Sequence, residues 1–174
     1  PMKTNRRQFV ANTVAMAVTA RSLRVASGGE SAPAAAGLPV IVSTWPFGRA
    51  ANEEALKVLV AGGAPIDAVE RGIRVTEASG NPSVGLSGAP NAAGVVQLDA
   101  CIMDGPGHRA GSVAGVEGIR HPISVARRVM EKTPHVMLVG DGARQFALEQ
   151  GLECVESDAA QRHAEWWRAR ARNQ

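Results

Sequence analysis

Val95-Val96-Gln97-Leu98-Asp99-Ala100-Cys101-Ile102-Met103, the turn Gly105-Pro106-Gly107, and Ala110-Gly111-Ser112-Val113-Ala114-Gly115-Val116 decide the architecture. The first nine residues read as a largely buried strand, since apolar and β-branched side chains dominate a short run bounded by turn formers. Residues 110–116 read as a glycine-rich strand antiparallel to it, and the Gly-Pro-Gly turn between them closes a hairpin. Asp99 and Asp104 interrupt the apolar pattern, so at least one of them is expected to be buried and paired in a structural hydrogen bond. Cys101 falls inside the run, where a small buried thiol is the default.

Helices flank this hairpin. Upstream, Ala51, Ala55, Leu56, Val58 and Leu59 recur at helical spacing and stop at Gly62-Gly63. A second helix fits residues 65–78, with Pro65 in its first turn and Ile66, Val69, Ile73 and Thr76 on one stripe. These two are expected to pair antiparallel. Farther upstream, Pro39-Val40-Ile41-Val42-Ser43-Thr44 is a β-branched run that ends at Trp45-Pro46 and predicts a strand. Residues 80–91, rich in Gly, Pro, Asn and Ser, predict a shaped loop.

Downstream, Pro122 to Glu131 predicts a third helix, His135 to Val139 a strand, and Gly142 to Gln150 a fourth helix capped by Gly151. A fifth helix opens at Ser157 and runs through Trp166-Trp167. A hairpin together with crossover helices predicts a mixed α/β fold, a sheet with helices packed on it. About four strands are expected, fewer than the five to six of an average sheet, so a partner or further segment is expected to complete it.

The 174 residues carry 19 Lys+Arg and 16 Asp+Glu, with 45% hydrophobic and 20% charged residues, an ordinary globular mixture. Residues 1–38 hold five of the bases and one acid, which leaves residues 39–174 at a net charge of −1. With no Tyr and 3% aromatic residues, the chain lacks both the basic face and the stacking platforms of a nucleic-acid binder. The basic excess belongs to a leader. Lys3, Arg6 and Arg7 precede the weakly apolar run Phe9 to Ala20 and the small-residue stretch Ser31 to Gly37. That order predicts a twin-arginine export signal over residues 1–36, and hence a periplasmic or secreted protein with no membrane association once the signal is removed. The apolar run is too short to span a bilayer, which takes about 20 apolar residues.

Other chemistries find little support. Gly140-Asp141-Gly142 follows a strand, but Gln145 stands where the dinucleotide fingerprint needs its third glycine. His108, His121, His135 and His163 are scattered, with no metal-ligand spacing, so no metal and no cofactor are expected. Neither Cys101 nor Cys154 has a histidine beside it to lower its pKa, and their spacing demands no disulfide. Arg162, Arg168, Arg170 and Arg172 read as the solvated face of the last helix.

Four stretches carry a resemblance: Ser43-Thr44-Trp45-Pro46-Phe47-Gly48; Gly62-Gly63 with Asp67-Ala68-Val69-Glu70; Ser83-Val84-Gly85 followed by Leu98 to Asp104; and Pro122 to Arg127 running on to Leu138-Val139-Gly140-Asp141-Gly142-Ala143. In order and spacing, from about Pro39 to Gly151, they resemble the α-chain of the glycosylasparaginase family of N-terminal nucleophile hydrolases. That resemblance implies the αββα sandwich of those hydrolases, of which residues 37–174 would form the α-chain half only. In such enzymes a precursor cuts itself before a threonine, whose hydroxyl then attacks the asparagine side-chain amide while its own α-amine serves as base. An α-amine suits that task because its ordinary pKa is about 7.7–8.0.

By the same resemblance, Trp45 lines the substrate pocket, Phe47 belongs to the same wall, and Ser83 supports the nucleophilic threonine. Read without it, Trp45 would be a core residue and Ser83 a turn hydroxyl. The self-cleavage motif His-Asp-Thr-Ile-Gly occurs nowhere, and Thr44, Thr76 and Thr133 lack its context. Ser87 and Asn91 stand where the family usually has Gly and Asp. The expectation is therefore an α-subunit, or an N-terminal fragment, that needs a β-chain to supply the nucleophile. Its substrate would be glycosylated asparagine or an asparagine-like small molecule, and its complete form a heterodimer or (αβ)2. An isoaspartyl peptidase or plant-type asparaginase, or a non-catalytic exported half-fold that serves as a binding module, are the alternatives.

Overall fold

The computed structural model describes residues 39–156 and 159–172. The leader expected over residues 1–36 and the Ser157 that was expected to open the last helix lie outside them.

A 3-10 turn over Pro46–Gly48 leads into helix α1, Arg49–Val60, which ends where Gly62 takes a φ of +82°. Helix α2, Pro65–Glu77, starts with its proline in the first turn and carries Asp67 there, where a carboxylate favours the helix dipole. The two helices pack on each other through their smallest residues. Ala51, Ala55, Ala68 and Gly72 are buried, and a Cβ added at Gly72 would lie 2.6 Å from the Ala51 carbonyl oxygen. The stripe expected on α2 is therefore divided: Ile66 and Ile73 turn toward the main core, while Val69 is 45% exposed.

The hairpin forms as its sequence demands. Strand β1, Leu98–Asp104, pairs antiparallel with β2, Arg109–Val116, in the register Cys101 opposite Ser112 and Asp104 opposite Arg109. Helix α3, Pro122–Lys132, then crosses over to β3, Met137–Val139, which runs parallel to β2 and gives a sheet ordered β1-β2-β3. Helix α4, Gly140–Glu149, follows at once, and α5, Ala159–Arg172, closes the described chain.

One face of the sheet is sealed by α3 and α4. Leu98 and Ile102 of β1 join Val113 and Val116 of β2, Val125, Ala126 and Val129 of α3, and Ala143 and Ala147 of α4 in a single core cluster. With Ile119 and Ile123, nine residues of this cluster are 0–1% exposed. Gly111 makes the close approach possible, since any Cβ there would strike the Ala126 carbonyl oxygen and sit 2.6 Å from the Met130 nitrogen. The fold is thus mixed α/β, a helix layer on one small sheet.

Several expectations change. Residues 39–43 form no strand, and Val40 and Val42 are each 85% exposed, because no described strand lies alongside to take their backbone hydrogen bonds. Val95 to Gln97 precede β1 rather than belong to it, since Asn91 captures them. Its Oδ1 accepts from the Ala93 and Val95 amides, and its backbone N–H donates to the Val95 carbonyl. The sheet has three strands among the described residues, and β3 uses only three of the five residues expected for it. Cys101 is exposed, not buried, because it alternates onto the side of the sheet that α3 and α4 do not cover. Both cysteines are free thiols.

Candidate active site

The tetrapeptide Trp45-Pro46-Phe47-Gly48 builds one wall. Trp45 is extended, with φ −111° and ψ 148°, and Pro46 fixes the first position of the tight turn that follows. This geometry sets the Trp45 and Phe47 rings nearly parallel, 9° apart in plane and 6.5 Å between centroids. Gly48 is buried against Ser43, whose hydroxyl donates to Asn52 Oδ1 at the start of α1. Trp45 stays 64% exposed and Phe47 39% exposed, so two large apolar rings stand at the surface instead of joining the core. They border a cleft of about 310 Å3 with Ser43, Thr44, Thr76 and Glu77.

Ser83 does not border that cleft. Its backbone N–H donates to Asn81 Oδ1 at 2.8 Å, closing an Asx turn in the loop over residues 80–91. Gly85, at φ +65°, lets this loop run against α2, for any side chain there would collide with the Glu77 carbonyl oxygen. Ser83 borders a second hollow, of about 410 Å3, with Glu77, Asp99 and Cys101 among its lining. Ile73, Glu77 and Val84 line both hollows. These three residues form a common wall between the hollow of Trp45 and Phe47 and that of Ser83.

Glu77 is the unexpected part of that wall. It is 9% exposed, yet its carboxyl is well held: Oε1 accepts from the Ile123 amide at 3.0 Å, and Oε2 lies 3.0 Å from His121 Nδ1. Burial pushes its pKa up to about 7 against the opposing pull of the Ile123 amide and Arg74. Burial, with Arg74 nearby, pushes His121 down from its ordinary value. The two residues are 44 positions apart, so no local pattern in the sequence joins them. Asp99 and Asp104 are both paired, but neither is buried as expected of at least one: Asp99 is exposed, its Oδ1 accepting from the Gly115 amide at 2.7 Å, and the half-buried Asp104 bridges to Arg109.

Two of the resembling stretches meet away from the cleft. Arg127 of α3 pairs with Asp67 and Glu70 of α2, both at 2.7 Å, and with Glu131 on its own helix at 2.8 Å. The Ser124 hydroxyl adds a bond to Glu70 at 2.6 Å and receives one from Arg74 at 2.9 Å. Burial works against the Arg127 charge, but the bonds from Glu131, Asp67 and Glu70 outweigh it and push its pKa up. This network ties α2 to α3 and accounts for those motif residues structurally.

Among the described residues no group of three or more His, Cys, Asp or Glu could hold a metal ion, and no helix is long and apolar enough to cross a membrane. The site therefore offers walls: two aromatic rings, a loop serine and a buried carboxyl. Thr133 donates to the Val129 carbonyl, while Thr44 and Thr76 border the aromatic cleft without a histidine partner.

Comparison with known proteins adds a second line of information. The asparaginase family model (Asparaginase_2) matches residues 21–174. An N(4)-(β-N-acetylglucosaminyl)-L-asparaginase of Elizabethkingia miricola is 48% identical over 173 residues, which cover 95% of this chain and 49% of that protein. The enzyme of the same name from Rattus norvegicus is 41% identical over 133 residues, 74% of this chain and 38% of its own length. An isoaspartyl peptidase of Salmonella typhimurium is 43% identical over 106 residues, 61% of this chain and 34% of its own. The chain spans about half or less of the length of these relatives.

Proposed function

The chain belongs to the asparaginase family, and from that premise we propose that it is the α-chain portion of an exported amidohydrolase that cleaves the side-chain amide of glycosylated asparagine. A β-chain of the same precursor supplies the nucleophile, an N-terminal threonine, and the two form a heterodimer or an (αβ)2 assembly. The observation that carries this reading is the exposed, parallel Trp45 and Phe47 pair at a cleft whose floor is shared with the Ser83 hollow. The length of the chain relative to its relatives, together with the uncovered side of its sheet, supports a missing second half. The basic segment around Arg6 and Arg7 supports twin-arginine export to the periplasm or beyond.

In this reaction the threonine hydroxyl attacks the amide carbonyl, its proton passes to the α-amine of the same residue, and that proton leaves with the glycosylamine. Water then releases aspartate from the acyl-enzyme. Trp45 and Phe47 offer a flat apolar surface to the substrate, and Ser83 holds the attacking hydroxyl by a hydrogen bond. No cofactor takes part.

The test is reconstitution. The 174-residue chain alone is expected to release no glycosylamine from aspartylglucosamine, and co-expression with a complementary β-chain to restore release. In the restored enzyme Trp45→Ala is expected to raise KM about tenfold, the loss of roughly 1.4 kcal/mol of ring contact. Hydrolysis by the isolated chain would refute the proposal. The match to an isoaspartyl peptidase favours a second reading, in which the same site takes β-aspartyl peptides or asparagine. Parallel assays on those substrates separate the two.

A further inference from the structure

Glu77 is the one titratable group that lines both hollows, and nothing in the proposed amide cleavage uses it. We propose that Glu77 is a positioning residue for this cleft: clamped by the Ile123 amide and His121, it fixes the wall common to Trp45, Phe47 and Ser83, and the protonation of the Glu77–His121 pair tunes that wall with pH. The inference rests on the amidase reading for its catalytic consequence, but not for its geometry.

Three structural facts converge on Glu77. It sits at the last position of α2, where its backbone carbonyl abuts Gly85 of the Ser83 loop. Its Oε1 holds the second residue of α3 through the Ile123 amide, so one side chain joins α2, the loop and α3. Its Oε2 meets His121 Nδ1 at 3.0 Å, with the imidazole 13% exposed and the carboxyl 7% exposed. The charged groups facing the pair are Arg74 and Glu70 on α2, and Arg120 and Glu153 beside His121.

The pair can change charge without losing its bond. In its neutral form one proton lies between Oε2 and Nδ1, and the imidazole also carries a proton on Nε2. Losing the Nε2 proton to solvent leaves a carboxylate accepting from Nδ1–H of a neutral imidazole, with net charge −1. The hydrogen bond persists in both forms, so what changes is the field at the floor of the cleft. Burial places this step near neutral pH, as the Glu77 value of about 7 reflects. Between the ordinary glutamate value and about pH 7 the folded protein keeps a proton that the unfolded chain gives up, so the stability Glu77 contributes falls as pH rises through that window. His121, whose value is lowered, acts in the opposite sense below its ordinary value.

The experiment is NMR on the 174-residue chain, labelled with 13C at the glutamate carboxyls and with 15N throughout. The expected result is a Glu77 carboxyl that titrates near pH 7, well above the ordinary glutamate value. The Trp45 indole and Ser83 amide signals should follow the same midpoint, and in Glu77→Gln, which keeps the shape and the acceptor for Ile123, they should stop responding near pH 7. His121→Asn, which leaves the carboxyl in place, should move the Glu77 midpoint. A Glu77 that titrates at the ordinary glutamate value, Trp45 and Ser83 signals that ignore it, or a midpoint unmoved by His121→Asn would each overturn the proposal. In the reconstituted enzyme Glu77→Gln should remove an inflection near pH 7 from kcat while KM changes by less than about twofold. If that enzyme cleaved no amide, the amidase reading would fall while the NMR result still decided the role of the pair.

Discussion

The two faces of the sheet contrast sharply. Toward α3 and α4, Val113, Ile119, Ile123, Val125 and Val129 are at most 1% exposed. On the other side Met103 is 60% exposed and Asp99 and Cys101 stand open, while Met137 and Val139 of β3 are 55% and 60% exposed. One strand pattern serves both, since alternate residues of a strand point to opposite faces. Among the described residues a complete core therefore forms on one side only, and the apolar residues on the other side are left uncovered.

Three substitutions probe the two faces. Gly111→Val forces a branched side chain into the Ala126 carbonyl, and is expected to cost about 4 kcal/mol or more and leave little folded protein by circular dichroism. Ile123→Ala empties a 1%-exposed site in the same core, and an expected loss of about 3 kcal/mol would appear as a lower urea midpoint. Met103→Ser should stay within about 0.5 kcal/mol of the parent chain in the same measurement, as an exposed change does. Added β-chain should then distinguish the faces: Met103→Ser should weaken assembly in a titration, although it leaves the isolated chain intact. A large loss from Met103→Ser in the isolated chain would erase the contrast.

How far the sequence was legible follows from where its signals lie. Helix ends fell within two residues of expectation wherever the punctuation is local: Gly62 after α1, Pro65 and Pro122 at the first positions of α2 and α3, Gly151 after α4. The hairpin was equally readable, because Gly105-Pro106-Gly107 states its own turn. The run from Pro39 to Thr44 misled, since a strand is made by its neighbour as much as by its own residues. Val95 to Gln97 were lost to Asn91, whose side chain competes with a ladder for the same backbone groups. Of the candidate site, Trp45, Phe47 and Ser83 came from resemblance alone; residue patterns by themselves favoured core and turn. The Glu77 and His121 pair left no trace, as its partners come from the end of one helix and the approach to another.

The Arg127 network has a further implication for how the molecule opens. One guanidinium grips two carboxylates on α2 and a third on α3, so prising the helices apart breaks several charge-assisted hydrogen bonds at once. The two helices are therefore expected to come loose together, with the amide protons along both exchanging through a shared opening event rather than by separate fraying.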